Sequence, residues 1–163
     1  MELIIASQNQ NKLVEFKKIL GDKINLFSLS DIGLNQEIPE NEKTIKKNAM
    51  FKAKFVNTQT GKNVFADDTG LEIDSLNGEP GVYSARYSGV ERNSDKNIEL
   101  VLTKLKNKSN RNSRFKTIIS LIIDGKSVNF EGVVEGKITE EKRGSNGFGC
   151  LLYTSDAADD CVC

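Results

Sequence analysis

The sequence predicts an α/β fold in which helices flank a mixed sheet that contains a long antiparallel hairpin. The N-terminal part alternates short apolar segments with segments of helical periodicity, an order typical of layered α/β proteins. Towards the other end, two long segments rich in β-branched residues are separated by Asp124-Gly125, a pair typical of hairpin turns. Strands and helices are therefore expected to pack in layers around an apolar core.

Four elements are predicted in the N-terminal part of the chain. Apolar residues predict a strand at Leu3–Ala6, and apolar residues at helical spacing predict a helix over residues 12–20. A second short strand is predicted at residues 25–28. Thr44 has the side chain of an N-cap, and the residues after it predict a helix to about Asn57 with its lysines on the exposed face.

The rest of the chain is predicted to contain four further strands and one helix. The strands are residues 63–66, 71–74, 115–123 and 127–138. The helix begins at Ser94, continues to Leu105 and has the clearest helical period in the chain. Asn77-Gly78 is a turn signal after the second of these strands, and the basic stretch at 106–114 is predicted to be an exposed connection.

The composition excludes several classes of protein. The 163 residues, of which 37% are hydrophobic, suit one globular domain. Lysine and arginine (23) balance aspartate and glutamate (23), so no excess charge indicates a nucleic acid or membrane partner. No apolar stretch is long enough for a membrane span, and a cytoplasmic protein is expected. Because histidine is absent, histidine bases, histidine zinc sites and Ser-His-Asp triads are excluded.

A polar segment follows the first strand and is the first candidate site. It consists of Ser7, Gln8, Asn9, Gln10, Asn11 and Lys12. Free backbone N–H groups at a helix N-terminus attract anions, and a lysine there adds a positive charge suited to phosphate. The segment matches neither of the common glycine-rich phosphate motifs, so an ordinary polar loop before a helix is the alternative.

Two groups of carboxylates are the next candidates. Asp67 and Asp68 are adjacent after an apolar strand, and such a pair indicates Mg²⁺, a general base, both, or a solvated turn. An acidic loop holds Glu37, Glu40 and Glu42, which by itself is typical of solvated surface. Combined with a lysine-bearing anion loop, these carboxylates are the groups that metal-assisted attack on a polyphosphate requires.

In this order the segments resemble the inosine triphosphate pyrophosphatase family. The matching pieces are "ASQNQNK", "TIKKNAMFKA", "ADDTGLEIDSLNGEPGVYSARYSG", "RNSRF" and "GSNGFG", which together cover residues 2–149 in collinear order. The resemblance implies the family's α/β fold and hydrolysis of ITP, dITP and XTP to the monophosphate and pyrophosphate. It also implies a purine nucleoside triphosphate as substrate, Mg²⁺ as cofactor and a homodimer.

The resemblance also assigns roles to individual residues. Asp68 would be the general base and a metal ligand, and the other implied metal ligands are Asp67, Glu40 and Glu37. The residues implied in substrate binding are Ser7, Gln8, Asn9, Gln10, Asn11, Lys12, Thr69, Phe148 and Gly149.

The resemblance ends after Gly149. Family members continue with Tyr-Asp-Pro and a later Ser-His-Arg segment that read the purine, whereas this chain continues with Cys150-Leu151-Leu152. We therefore expect an incomplete family domain at 1–149, without its C-terminal strand and helix, and a disordered or foreign tail at 150–163. Two alternatives stay open: a Maf-type nucleotide pyrophosphatase and a nucleotide-binding fragment without catalytic activity.

Overall fold

The computed structural model describes residues 1–141 and 153–154. Three α-helices lie in this part: α1 (Gln10–Leu20), α2 (Ile45–Thr60) and α3 (Ser94–Leu105). The strands are β1 (Glu2–Ile5), β2 (Asn25–Phe27), β3 (Val64–Ile73), β4 (Pro80–Gly81), β5 (Asn112–Ile123), β6 (Lys126–Ile138) and β7 (Tyr153–Thr154). Short 3-10 turns occur at Gly21–Lys23, Ser30–Ile32, Asp74–Leu76 and Ser84–Arg86.

The strands form a mixed sheet with the order β2-β1-β3-β5-β6-β7, and β4 pairs with β3. β1 is parallel to β2 and to β3, with Ile4 opposite Val64 and Ile5 opposite Phe65 in the second pair. β3 and β4 are antiparallel, as are β6 and β7. Parallel and antiparallel pairs in one sheet, with helices between strands, confirm the predicted fold class.

The connection between β5 and β6 is the predicted two-residue turn. Asp124 and Gly125 both have positive φ, 49° and 75°. Positive φ at both central residues matches the right-handed twist of the flanking strands, and Asp-Gly adopts it at low cost. The predicted turn at Asn77-Gly78 has the same property, with φ of 54° and 85°.

The backbone divides into two compact units. The first consists of residues 1–68 and 118–131, and the second of 69–117 with the described residues from 132 onwards. Among the described residues, the first unit contains two apolar clusters and the second contains one.

In the first unit, β1 is buried on both faces. Successive side chains of a strand point in opposite directions, so its apolar residues divide into two sets. Leu3 and Ile5 belong to a cluster against which α1 packs, whereas Ile4 and Ala6 belong to a cluster that includes residues of α2. Burial on both faces explains why the strand reads as a continuous apolar run rather than an alternating one.

The second unit is built around α3. Its apolar face contributes Ile98, Val101 and Leu105, which pack with Leu71 and Ile73 of β3. The cluster also contains residues after β3 and at the end of β6. The helical period that predicted α3 therefore identified its buried face correctly.

Helix α2 begins where predicted and ends later. The Thr44 hydroxyl accepts a hydrogen bond from the Lys47 N–H (3.2 Å), which confirms Thr44 as the N-cap. Gly61 adopts φ 66° and its N–H donates to the Asn57 carbonyl (2.8 Å). A glycine in the left-handed conformation terminates a helix favourably, so the last turn extends to Thr60 although its sequence is polar.

The two largest differences from the predicted elements concern strands β3 and β5. The segments 63–66 and 71–74 were predicted as separate strands, but β3 runs without interruption through Asp67, Asp68 and Thr69. Any residue can adopt the extended backbone of a strand. The charges of Asp67 and Asp68, which suggested a loop, are compensated by nearby lysines. β5 begins at Asn112, inside the predicted connection.

Three hydrogen bonds of Arg111, the residue before β5, explain its early start. The Arg111 guanidinium donates to the carbonyl oxygens of Ile138 (2.7 Å) and Thr139 (2.6 Å), and the Ile138 N–H donates to the Arg111 backbone carbonyl (2.9 Å). These bonds connect Arg111 to the end of β6, so β5 begins at Asn112, three residues before the apolar period starts at Phe115.

The predicted tail at 150–163 lies mostly outside the described residues. Its described part, Tyr153–Thr154, forms β7 and pairs with Lys137 and Ile138. The sequence indicated no strand there, so the pairing of these two residues differs from the expectation. Within residues 1–141 and 153–154, no helix has the length and apolar character needed to cross a membrane.

Core burial predicts a stability difference between two isoleucines of the first unit. Ile4 is 1% exposed in β1, whereas Ile19 on α1 is 76% exposed. We expect Ile4→Ala to lower the free energy of unfolding by roughly 2–5 kcal/mol, because it leaves a cavity between strand and helix. Ile19→Ala is the matched control and is expected to change it by less than about 0.5 kcal/mol. Urea denaturation followed by circular dichroism measures both, and equal effects would contradict the assigned core.

Candidate active site

The polar segment after β1 is partly loop and partly helix. Helix α1 begins at Gln10, two residues earlier than predicted, because Asn9 caps it. The Asn9 Oδ1 accepts hydrogen bonds from the N–H groups of Asn11 (2.9 Å) and Lys12 (3.4 Å). The Ser7 hydroxyl accepts one from the Asn9 N–H (3.2 Å). The segment therefore orders itself, and Asn9 uses two of the N–H groups expected to be free for an anion.

The N-terminus of α1 still has the features of an anion site. Its first turn has no acidic residue and contains Lys12. The positive end of the helix dipole points at the loop, which favours negative charge there. Gln8 connects this loop to the acidic loop, because its side-chain amide donates to the Gln36 carbonyl (3.2 Å).

Asp67 and Asp68 form ion pairs with different lysines. The side chains of adjacent strand residues point to opposite faces, so the two carboxylates diverge. Asp67 pairs with Lys12 of α1 at 2.5 Å, and its side chain is 4% exposed. Asp68 lies 3.7 Å from Lys52 of α2 and is 15% exposed. Each aspartate of β3 is thus compensated by a lysine from the helix that covers its face.

Lys52 also holds the acidic loop. Its ammonium lies 3.1 Å from the Glu40 carboxylate, and the side chain is only 8% exposed. A nearly buried ammonium between two carboxylates is favourable, whereas an unpaired one would lose much solvation energy. Glu40 and Asp68 are therefore brought to the same cation, although they are far apart in the sequence.

Asn48 lies one turn before Lys52 on the same face of α2 and is 2% exposed. Its side-chain oxygen accepts a hydrogen bond from the Glu42 N–H (3.0 Å). Because buried amides are costly unless hydrogen-bonded, this contact explains how a polar residue is accommodated here.

Burial raises the pKa of Asp68 above its ordinary value of 3.8. Lys52 opposes this shift, the neighbouring Glu40 carboxylate adds to it, and the Asn48 side chain and the charge of Lys12 lower it again. Desolvation is the largest cause and decides the direction. A carboxyl with a raised pKa is a better proton acceptor than an exposed one.

The other predicted site residues are less closely associated. Glu37 is exposed in the acidic loop. Thr69 belongs to the second unit, where its hydroxyl lies 2.9 Å from that of Thr117. Phe148 and Gly149 lie outside the described residues.

The carboxylates present the donor atoms that a divalent cation requires. Asp67 Oδ1 and Asp68 Oδ2 are buried and have no hydrogen-bond partner among the described residues. Unpaired buried carboxylate oxygens are unfavourable, and hard cations such as Mg²⁺ prefer these ligands. In the described part of the chain, however, no three side chains of Asp, Glu, Cys or His are close enough together to hold a metal. The residues fit a cation in chemical type, while two lysines supply the positive charge in this structure.

Lys52 and Asn48 are the site residues that sequence reasoning missed. The lysines of α2 were predicted on its exposed face, and for Lys52 this was wrong. A signal existed, because Asn48 and Lys52 follow the buried helical spacing of Ile45, Ala49 and Val56. Polar residues in the apolar stripe of an amphipathic helix indicate buried partners.

Comparisons with known proteins agree with the motifs. The model of the Ham1 family matches residues 3–153. The dITP/XTP pyrophosphatase of Flavobacterium johnsoniae is 49% identical over 149 residues, which span 91% of this chain and 78% of the relative. That of Bacillus subtilis is 46% identical over 152 residues, with 91% and 77% covered. The structure of the Ham1 protein of Staphylococcus aureus superposes with a TM-score of 0.88 at 37% identity, covering 96% of this chain and 82% of the other.

The raised pKa of Asp68 predicts a pH-dependent effect on stability. The folded protein binds this proton more tightly than the unfolded chain, so the stability from Asp68 is complete below 3.8 and is lost as pH rises through the folded pKa. We expect Asp68→Asn to raise the melting temperature in metal-free buffer at about pH 7, and to raise it less at about pH 5. The exposed Asp22→Asn is the control. A gain that is larger at the lower pH would contradict this assignment.

The pairing of Lys52 predicts a second stability effect. Lys52→Met leaves the Glu40 and Asp68 carboxylates without their cation, and we expect a loss of roughly 3 kcal/mol in the free energy of unfolding. Lys54→Met, an exposed change on the same helix, should cost less than about 0.5 kcal/mol. Urea denaturation in chelator-containing buffer measures both. If Lys52 acts through the carboxylates, Asp68→Asn in the same chain restores part of the loss.

Proposed function

We propose that this chain, which belongs to the Ham1 family, hydrolyses non-standard purine nucleoside triphosphates to the monophosphate and pyrophosphate. Four relatives named dITP/XTP pyrophosphatase share 46–50% identity with it. The resemblance inferred from the motifs is thereby confirmed. Relatives that carry this name do not favour the Maf-type alternative.

One observation carries the proposal beyond family membership. A largely desolvated carboxylate with a raised pKa, Asp68, lies beside Lys52 in the same unit as a lysine-bearing helix N-terminus. In this combination, the carboxylate can accept a proton from water, and the lysine and the helix N-terminus can bind the negatively charged oxygens of a phosphate. The water can then attack the phosphorus atom. An ion pair that only stabilises the fold would not require a polar segment with the features of an anion site at the end of β1.

In the proposed reaction, Asp68 accepts a proton from a water molecule whose oxygen attacks the α-phosphorus. The bond from that phosphorus to the bridging oxygen breaks, and pyrophosphate leaves with the electron pair. Lys12 and the N-terminus of α1 stabilise the negative charge of the triphosphate. Ser7 and the side chains up to Asn11 orient the phosphates, and the family resemblance implies a substrate contact for Thr69.

We further propose that Mg²⁺ is held by Asp68 and Glu40, whose carboxylates share Lys52. The family resemblance adds Asp67 and Glu37 as further ligands, although Asp67 faces Lys12 and Glu37 is exposed in this structure. When bound, the ion supplies positive charge to the phosphate oxygens. The unpartnered oxygens of Asp67 and Asp68 support its binding. The family resemblance supports a cytoplasmic homodimer and a base-binding role for Phe148 and Gly149.

The decisive experiment is pyrophosphate release from dITP and XTP in the presence of Mg²⁺, with dATP as the comparison substrate. We expect turnover of dITP and XTP to exceed that of dATP, and chelation by EDTA to abolish it. Asp68→Asn should lower kcat by at least about 100-fold, since it removes the proton acceptor. Asp22→Asn, an exposed change, controls for the substitution.

Two outcomes would overturn parts of the proposal. Full activity of Asp68→Asn would exclude Asp68 as the base. Calorimetric binding of dITP without Mg²⁺-dependent turnover would favour the nucleotide-binding fragment instead of the enzyme.

A further inference from the structure

Helix α2 holds the acidic loop at two points. The Glu42 N–H donates to the side-chain oxygen of Asn48 (3.0 Å), and the Glu40 carboxylate lies 3.1 Å from the Lys52 ammonium. Asn48 and Lys52 are four residues apart, so they lie one above the other on one face of the helix. A loop attached both by its backbone and by a side chain has little freedom to move relative to that face.

The two attachments constrain the loop in different ways. Lys52 provides charge, but its long side chain tolerates a range of positions around a carboxylate. Asn48 is short, sits 2% exposed in the packed face of α2, and contacts the loop backbone through one oriented hydrogen bond. The position of the loop relative to the helix is therefore set mainly by Asn48.

The same helix face fixes the position of Asp68. Lys52, one turn after Asn48, lies 3.7 Å from its carboxylate. Glu40 and Asp68 come from a loop and a strand that are distant in sequence; both lie near the Lys52 ammonium, and Asn48 holds the backbone of the loop that carries Glu40. The distance between the two carboxylates thus depends on this face of α2.

We propose that Asn48 is a positioning residue that anchors the acidic loop, so that Glu40 and Asp68 are held in the arrangement that binds the metal. This rests on the proposed function, in which both carboxylates are metal ligands. Asn48 itself touches neither the reacting phosphorus nor the water. Residues that orient ligands in this way typically contribute ten- to a hundredfold to metal affinity or activity.

The test compares Asn48→Leu, which keeps the approximate shape of the side chain but has no acceptor for the Glu42 N–H, with Asn57→Leu. Asn57 lies on the same helix and donates to the Lys62 carbonyl outside the site (2.8 Å). We measure binding of Mn²⁺ alone by calorimetry, and kcat and KM for dITP with Mg²⁺. Asn48→Leu should weaken Mn²⁺ binding and lower kcat, each by about tenfold or more. KM should change by less than about threefold, and Asn57→Leu should leave all three unchanged.

A double-mutant cycle separates positioning from general stability. If Asn48 acts by placing Glu40, adding Asn48→Leu to Glu40→Gln should cost less than about a further twofold in Mn²⁺ affinity. A structural role alone would reduce the affinity of both backgrounds by the same factor, which would overturn the inference. Asn48→Ala replaces Asn48→Leu in the cycle if the leucine variant does not fold.

The calorimetric readout distinguishes this inference from the proposed function. If the parent chain binds Mn²⁺ but releases no pyrophosphate from dITP, the proposed function fails, while the cycle still decides the role of Asn48. If the parent chain is active and Asn48→Leu binds Mn²⁺ and turns over dITP as the parent does, the function stands and the anchoring role is excluded.

Discussion

The compensation of negative charge by one nearly buried lysine is the constraint on which the site depends. Lys52 lies near both Glu40 and Asp68, and without it these two partly buried carboxylates would lose their shared cation. Its ammonium therefore attracts the acidic loop to α2, where the Asn48 hydrogen bond sets the position of the loop backbone. The raised pKa of Asp68 shows that this compensation is incomplete, since burial still outweighs the lysine. A carboxylate whose negative charge is only partly compensated can bind a proton or a further cation.

The layered arrangement of the first unit explains why two adjacent aspartates can both be accommodated. β1 is covered on both faces, by α1 on one side and α2 on the other. β3 runs beside it, so the alternation of side chains sends Asp67 towards Lys12 of α1 and Asp68 towards Lys52 of α2. The helices that bury the apolar residues of the strands thus also provide the cations for their carboxylates. The same contacts between helices and strands therefore stabilise the fold and hold the carboxylates of the site.

Much of the fold could be predicted because its signals are local. Thr44 caps α2 through its own hydroxyl, and Asp124-Gly125 turns because both residues adopt positive φ. The main error, a break in the strand around Asp67 and Asp68, arose because charged residues disfavour a buried strand when no partner is known. The partners were lysines contributed by two helices elsewhere in the chain, which no local pattern specifies.

The sequence by itself determined the class of fold, the family and the residue types available for chemistry, because periodicity, turn pairs and collinear motifs are properties of short segments. Only the tertiary structure decided which lysine meets which carboxylate, that Lys52 and Asn48 belong to the site, and that Asn9 uses N–H groups that seemed free. The physical reason is that charge compensation and burial depend on contacts between residues far apart in the chain. Their energies change with the local dielectric environment, and that environment exists only once the layers have packed.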